Sequence, residues 1–133
     1  MPNTGIRGDI QIMEDTFRAD RAISQYRGVT YSSTPGYVTL GAAKAANIAG
    51  VTQNATNASG DTVRVRQLGK SLITIQAAVT KGVPLLLGDG EGRVSNVGGA
   101  TGDGIMGVSE EGAAGAAGTS GDQITCFLQI RRA

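Results

Sequence analysis

The sequence predicts a mainly β fold: a small barrel or sandwich built from two similar halves, preceded by an extended N-terminal arm. Three observations predict it. Apolar and polar residues alternate over short segments, as in strands with one buried face. Clusters of Gly, Asn, Asp and Ser separate those segments, and such clusters make turns. A block pattern also recurs. Ile48-Ala-Gly-Val-Thr returns as Ile105-Met-Gly-Val-Ser, and Ser59-Gly-Asp-Thr-Val-Arg-Val returns as Ser120-Gly-Asp-Gln-Ile-Thr-Cys. The offset is 57 residues at the first block and 61 at the second, so the second copy carries four extra residues in its Gly/Ala-rich loop.

Taken in order, residues 1–20 lie outside the repeat and read as an arm, polar with spaced apolar residues Ile6, Ile10, Ile12, Met13 and Phe17. Arms of this kind order on a partner. Residues 21–133 read as a single β domain with halves at about 21–70 and 71–133. Val29–Tyr31 and Tyr37–Leu40 are short strands, led by Arg27-Gly-Val and Gly36-Tyr-Val; Lys81-Gly-Val and Gly92-Arg-Val match them in the second half. Ala42–Ala49 has helix propensity but is too short to stand alone, so it forms a turn or two of helix, or a loop. Thr62–Leu68 puts Val63 and Val65 on one face and Arg64 and Arg66 on the other. A turn at Gly69-Lys70-Ser71 is expected next, then a strand over Leu72–Thr80 with Ile73, Ile75, Ala77 and Val79 on one face. Val83–Leu87, Arg93–Val97 and Ile105–Ser109 are weaker strands, and Gln123–Arg131 turns Ile124, Cys126, Leu128 and Ile130 inward. The glycine before Val51 and before Val108 marks a bulge or a close backbone approach.

Composition then narrows the chemistry. The 133 residues suffice for one core, built from small parts: 10 Val, 10 Ile, 7 Leu, 2 Phe and no Trp. With no His, the chain lacks His triads, His general bases and His metal sites. The single Cys126 allows neither an intrachain disulfide nor a Cys zinc cluster, and no His is present to activate it as a nucleophile. A net charge of +1 argues against nucleic acid as a partner. The longest apolar run, Val83–Leu87, is too short to cross a membrane, and no signal peptide is expected. No enzyme activity, cofactor, metal or small-molecule substrate is therefore expected.

Several short motifs read as structure rather than as sites. Gly102-Asp-Gly-Ile-Met-Gly107 has dinucleotide-fingerprint spacing but lacks the following helix. Gly69-Lys70-Ser71 resembles only the end of a P-loop, and Arg7-Gly8-Asp9 is a three-residue match. Asn54 and Asn57 head glycosylation sequons in a loop, and Asp89, Glu91 and Asp103 are turn carboxylates. The aromatic residues Tyr26, Tyr31 and Tyr37 cluster in sequence and are expected at a domain edge or subunit interface.

The duplicated Ile-x-Gly-Val-[Ser/Thr], the Gly/Ala-rich loop and Gly-Asp-x-[Val/Ile], together with the Arg/Lys-Gly-Val strands, resemble the small capsid cement (decoration) proteins of tailed bacteriophages. The resemblance covers about residues 20–133. It implies a virion structural protein, made in the bacterial host cytoplasm, that binds the major capsid protein on the outside of the expanded shell, commonly as a homotrimer, and stabilises it. Partner contact is then expected from Ile6, Ile10, Ile12 and Phe17 of the arm, by strand addition to an exposed edge, and from Tyr26, Tyr31 and Tyr37. On this view, deleting residues 1–16 abolishes shell binding and leaves the fold intact. Two alternatives stand beside it: another virion part, such as a head-fibre or tail module, and a small β module that binds carbohydrate or another ligand through its tyrosines.

Overall fold

A computed structural model of the chain describes residues 12–77, 79–96, 103–110 and 122–132. Within them lie nine strands and no helix: β1 (Met13–Ala19), β2 (Gly28–Tyr31), β3 (Tyr37–Leu40), β4 (Ile48–Thr52), β5 (Thr62–Thr74), β6 (Pro84–Leu87), β7 (Val94–Ser95), β8 (Gly104–Ser109) and β9 (Gln123–Arg132). The mainly β expectation holds. Ala42–Ala49 supplies a loop, not a helix, up to the start of β4.

The strands run in the order β1-β3-β2-β4-β5-β9-β8-β6-β7, and β1 also pairs with β5. That extra pairing closes β1–β5 into a five-stranded barrel. Closure hides sheet edges that would otherwise be exposed. The remaining strands follow the same plan. The antiparallel pairs β2–β3, β2–β4 and β4–β5 are matched by β6–β7, β6–β8 and β8–β9. The far half of β5 pairs with β9 over Leu68–Thr74, and a parallel bridge from Ile75 to Val94 closes this second ring. One long strand thus serves both rings. Their ladders set Val29 opposite Gly50 and Leu85 opposite Gly107, so Val29 corresponds to Leu85, two residues from the Val83 of the sequence match.

Each ring has its own core. Ala19, Ile23, Val29, Val38, Ala49, Val63 and Val65 fill the first. A larger cluster, including Ile73, Leu85, Leu87, Met106, Cys126 and Leu128, fills the second, and β4 contributes Ile48 and Val51 to it. Small apolar residues pack both without a Trp.

Two boundaries differ from the sequence reading. Met13–Ala19, inside the expected arm, is a barrel strand antiparallel to β5 from Met13↔Leu68 to Arg18↔Thr62. Only Phe17 and Ala19 of this strand turn away from solvent, so its alternation is faint. Ion pairs register the rest: Arg66 donates through Nε to Glu14 at 2.7 Å, and Arg64 lies 3.5 Å from the same carboxylate. Removing residues 1–16 would therefore cut into the barrel instead of trimming an arm. The second difference is at Gly69-Lys70-Ser71, where no turn forms. β5 continues through it unbroken, with Gly69 opposite Leu128; Gly69 adopts φ 104° there, a conformation open to glycine.

The Glu14 pairs lie near the surface, so their contribution is small. Glu14→Gln is expected to cost less than about 1 kcal/mol. Urea denaturation at low salt checks this, and the difference from the parent should shrink in 1 M salt.

Candidate partner interface

The residues that the sequence offers for partner contact fall at three places. Phe17, half-buried against the core of the first barrel, and Tyr31 meet edge to face, with ring centroids 5.9 Å apart. Ile12 (51% exposed), Met13 (54%) and Tyr31 (47%) leave an apolar surface here. A groove of about 340 Å³ runs beside it, lined by Met13, Tyr31, Ile48, Ala49, Gln67, Leu68, Gln129 and Ile130. Gln67 Nε2 donates to the Tyr31 hydroxyl at 3.3 Å and steadies the rim.

Tyr26 sits elsewhere, at the joint between the rings. Its N–H donates to the Thr52 C=O and its C=O accepts from the Thr74 N–H. Tyr37 lies on the outer side of the first barrel, in a cleft beside Arg18. The three tyrosines therefore form no single cluster, and Ile6 and Ile10 lie outside the described residues.

Sequence reasoning missed a second apolar surface. Pro84, Val108 and Phe127 stand side by side across β6, β8 and β9, with Lys70 next in the row on β5. Leu72, two residues along β5, is 37% exposed, as is Phe127. Lys70 reaches Glu110 at 3.2 Å beside them. The signal was present: Phe127 stands on the face of β9 that carries Thr125, Gln129 and Arg131. An exposed aromatic with neighbouring aliphatics fits a protein-contact surface.

Asn54 and Asp89, singled out by the sequence, are tied into the fold. Asn54 Oδ1 accepts from the Arg64 N–H while its Nδ2 donates to the Thr62 C=O, tying the loop to β5. Asp89 takes the Glu91 N–H and pairs with Arg93 at 2.7 Å. Among the described residues, no group of three or more His, Cys, Asp or Glu is placed to hold a metal ion. Gly104–Ser109 forms strand β8, so the glycine spacing there opens no helix.

Cys126 is fully buried on β9. Burial, reinforced by the nearby Glu110 carboxylate, pushes its thiol up from 9.0 to about 12. Below pH 9 the group is neutral folded and unfolded. Above pH 9 the unfolded chain ionises first, so stability falls as pH rises from about 9 towards 12. Native protein at pH 8 is expected to leave Ellman's reagent unreacted for hours, while protein in urea reacts at once; rapid native labelling would contradict the burial.

No protein-family model and no curated protein matches the chain. A solved structure does: the head fiber gp8.5 N base in bacteriophage phi29 superposes with a TM-score of 0.66, covering 90% of this chain and 95% of that one. At 17% identity the likeness is one of fold.

Proposed function

We propose that the chain is a structural protein of a bacteriophage virion, carried on the outside of the head. The observation that carries the reading is the fold shared with the phi29 head-fiber base over nearly the whole of both chains. The repeat pattern that resembles cement proteins points the same way. In the cement form of this proposal, the chain docks on the major capsid protein as a homotrimer and stabilises the shell. The apolar row at Phe127 and Leu72 and the aromatic rim at Tyr31 are the surfaces available for docking and for self-association. A symmetric oligomer would multiply such modest contacts.

The neighbour's own role favours a second reading, a head-fibre base. Copy number separates the two. Quantitative mass spectrometry of purified particles should find the chain at a level comparable with the shell subunit for cement, and far below it for a fibre base. Absence from the particle would remove both. Light scattering on purified protein tests the trimer: a mass of one 13.5 kDa chain at every concentration would exclude it in free solution.

A further inference from the structure

The outer cleft of the first barrel has an occupied counterpart in the second. The cleft opens where β1 and β3 part, has a volume of about 350 Å³, and is lined by Thr16, Phe17, Arg18, Gly36, Tyr37 and Thr62 among others. One main-chain bond, Arg18 N–H to Gly36 C=O at 2.9 Å, spans the two sides.

Hydrogen bonds fix what corresponds to what. Ala19 N–H donates to the Asp61 C=O as Ile75 N–H donates to the Asp122 C=O. Asp20 N–H donates to the Val38 C=O as Gln76 N–H donates to the Val94 C=O. Arg18 therefore corresponds to Thr74, and Gly36 to Gly92. At Thr74 and Gly92 a piece of chain is interposed. Thr74 N–H donates to the Tyr26 C=O at 3.0 Å, Gly28 N–H donates to the Gly92 C=O at 2.7 Å, and Arg27 Nη1 donates to the Glu91 C=O at 2.8 Å. One main-chain bond in the first ring is two in the second. The ladder agrees: β1 and β3 share two pairs, Arg18↔Tyr37 and Ala19↔Val38, whereas the second ring keeps only Ile75↔Val94.

We propose that the β1–β3 cleft is a socket for an extended segment of a different polypeptide, inserted between Arg18 and Gly36 as Tyr26–Gly28 is inserted between Thr74 and Gly92. The chain's own inserting segment is already used in its second ring, so the occupant comes from elsewhere. Insertion breaks the Arg18–Gly36 bond and replaces it with two, one from each side to the incoming segment, as in the second ring. Strand addition of this kind draws affinity from the main-chain bonds gained and specificity from side chains. Arg18 supplies the specificity. It is the one charged residue lining the cleft, its guanidinium donates to the Gly60 C=O at 3.1 Å, and it joins none of the ion pairs among the described residues. An Asp or Glu of the incoming segment pairs with it. Next along the edge, the Thr16 N–H is already held by Asp15 Oδ1 at 2.8 Å, which confines insertion to the Arg18–Gly36 end. This inference does not rest on the virion reading, and its test needs no particle.

The test pans a random twelve-residue peptide library on the immobilised full chain and measures the enriched peptides by fluorescence anisotropy. Acidic peptides are expected, binding at least tenfold more weakly to Arg18→Glu. A second variant, Arg18→Cys with Tyr37→Cys, clamps β1 to β3 with a disulfide. Peptides selected on its reduced form should lose at least tenfold on oxidation and regain it with dithiothreitol. Thermal melts confirm that both variants are folded. The proposal is overturned if no peptide depends on Arg18 or on the clamp. It is equally overturned if a synthetic peptide of residues 1–11 displaces the selected peptides, because the chain's own N-terminus is then the occupant. Self-association that the oxidised clamp abolishes would make the occupant a second copy, and would also overturn it.

Discussion

Gly107→Ala is expected to destabilise the fold by on the order of 3 kcal/mol, the upper end for overpacking a tight site, and to lower the melting temperature by roughly 10 °C. Gly107 sits on β8 where the ladder to β9 slips, opposite Leu128. A Cβ there would strike the Phe127 carbonyl oxygen and come within 3.0 Å of the Leu128 Cα. Both obstacles are backbone in the middle of the sheet, so neither can swing aside as a side chain would. Gly50 holds the corresponding place on β4, against the Arg66 carbonyl oxygen and, at 2.7 Å, Val65 Cγ1. Gly50→Ala should cost a similar amount. Gly90 is the control: a Cβ there meets nothing within 4 Å, and Gly90→Ala should stay within about 0.5 kcal/mol of the parent. Urea denaturation of the three variants checks the set. Equal stability of Gly107→Ala and Gly90→Ala would mean that β8 and β9 can move apart freely.

These glycines show what a sequence can disclose about such a fold. Their place in the Ile-x-Gly-Val blocks pointed to a bulge or a close backbone approach, because glycine weakens a strand interior unless one of these requires it. A Cβ at either would meet backbone, and at Gly107 the ladder also slips. Strong alternation was equally legible: Val63 and Val65 are buried while Arg64 is exposed, and Ile124, Cys126 and Leu128 are buried while Gln129 is exposed. What stayed hidden depends on distant partners. β1 carries only two inward residues, and its place is fixed by β5 and β3 rather than by its own pattern. Gly69-Lys70-Ser71 has turn chemistry, yet pairing to β9 carries the strand through it. The candidate interface was half legible. Tyr31 was picked as an aromatic residue and Phe17 as an apolar residue of the arm, and the two do meet, but Phe127 and Leu72 take their meaning from Val108 and Pro84 across the sheet.

The sharing of β5 leads to the second large effect. Leu128→Ala is expected to cost about 3 kcal/mol, as for a buried leucine whose cavity cannot fully collapse. Leu128 has no exposed surface and lies between Gly69 of β5 and Gly107 of β8. The loss should not be confined to the second ring. β5 is a wall of both rings, and Ile48 and Val51 of the first pack into the core of the second. Gly28 and Gly41 of the first ring also lie so close to Leu87 that a Cβ on either would collide with it. Neither ring can lose its strand without exposing the other's core, so the domain should unfold in one transition. The sequence provides a local probe, since all three tyrosines (Tyr26, Tyr31 and Tyr37) precede β5 and Trp is absent. Tyr31 and Tyr37 lie in the first ring and Tyr26 at the joint, so tyrosine circular dichroism reports the first ring and the joint, best read in a Tyr26→Phe background, while the far-ultraviolet signal reports the whole chain. In the parent both should melt together, and in Leu128→Ala both should shift down by roughly 10 °C. A tyrosine signal that stayed at the parent temperature while the far-ultraviolet curve split in two would show the rings to be independent, and β5 would then be a hinge between two domains instead of the spine of one.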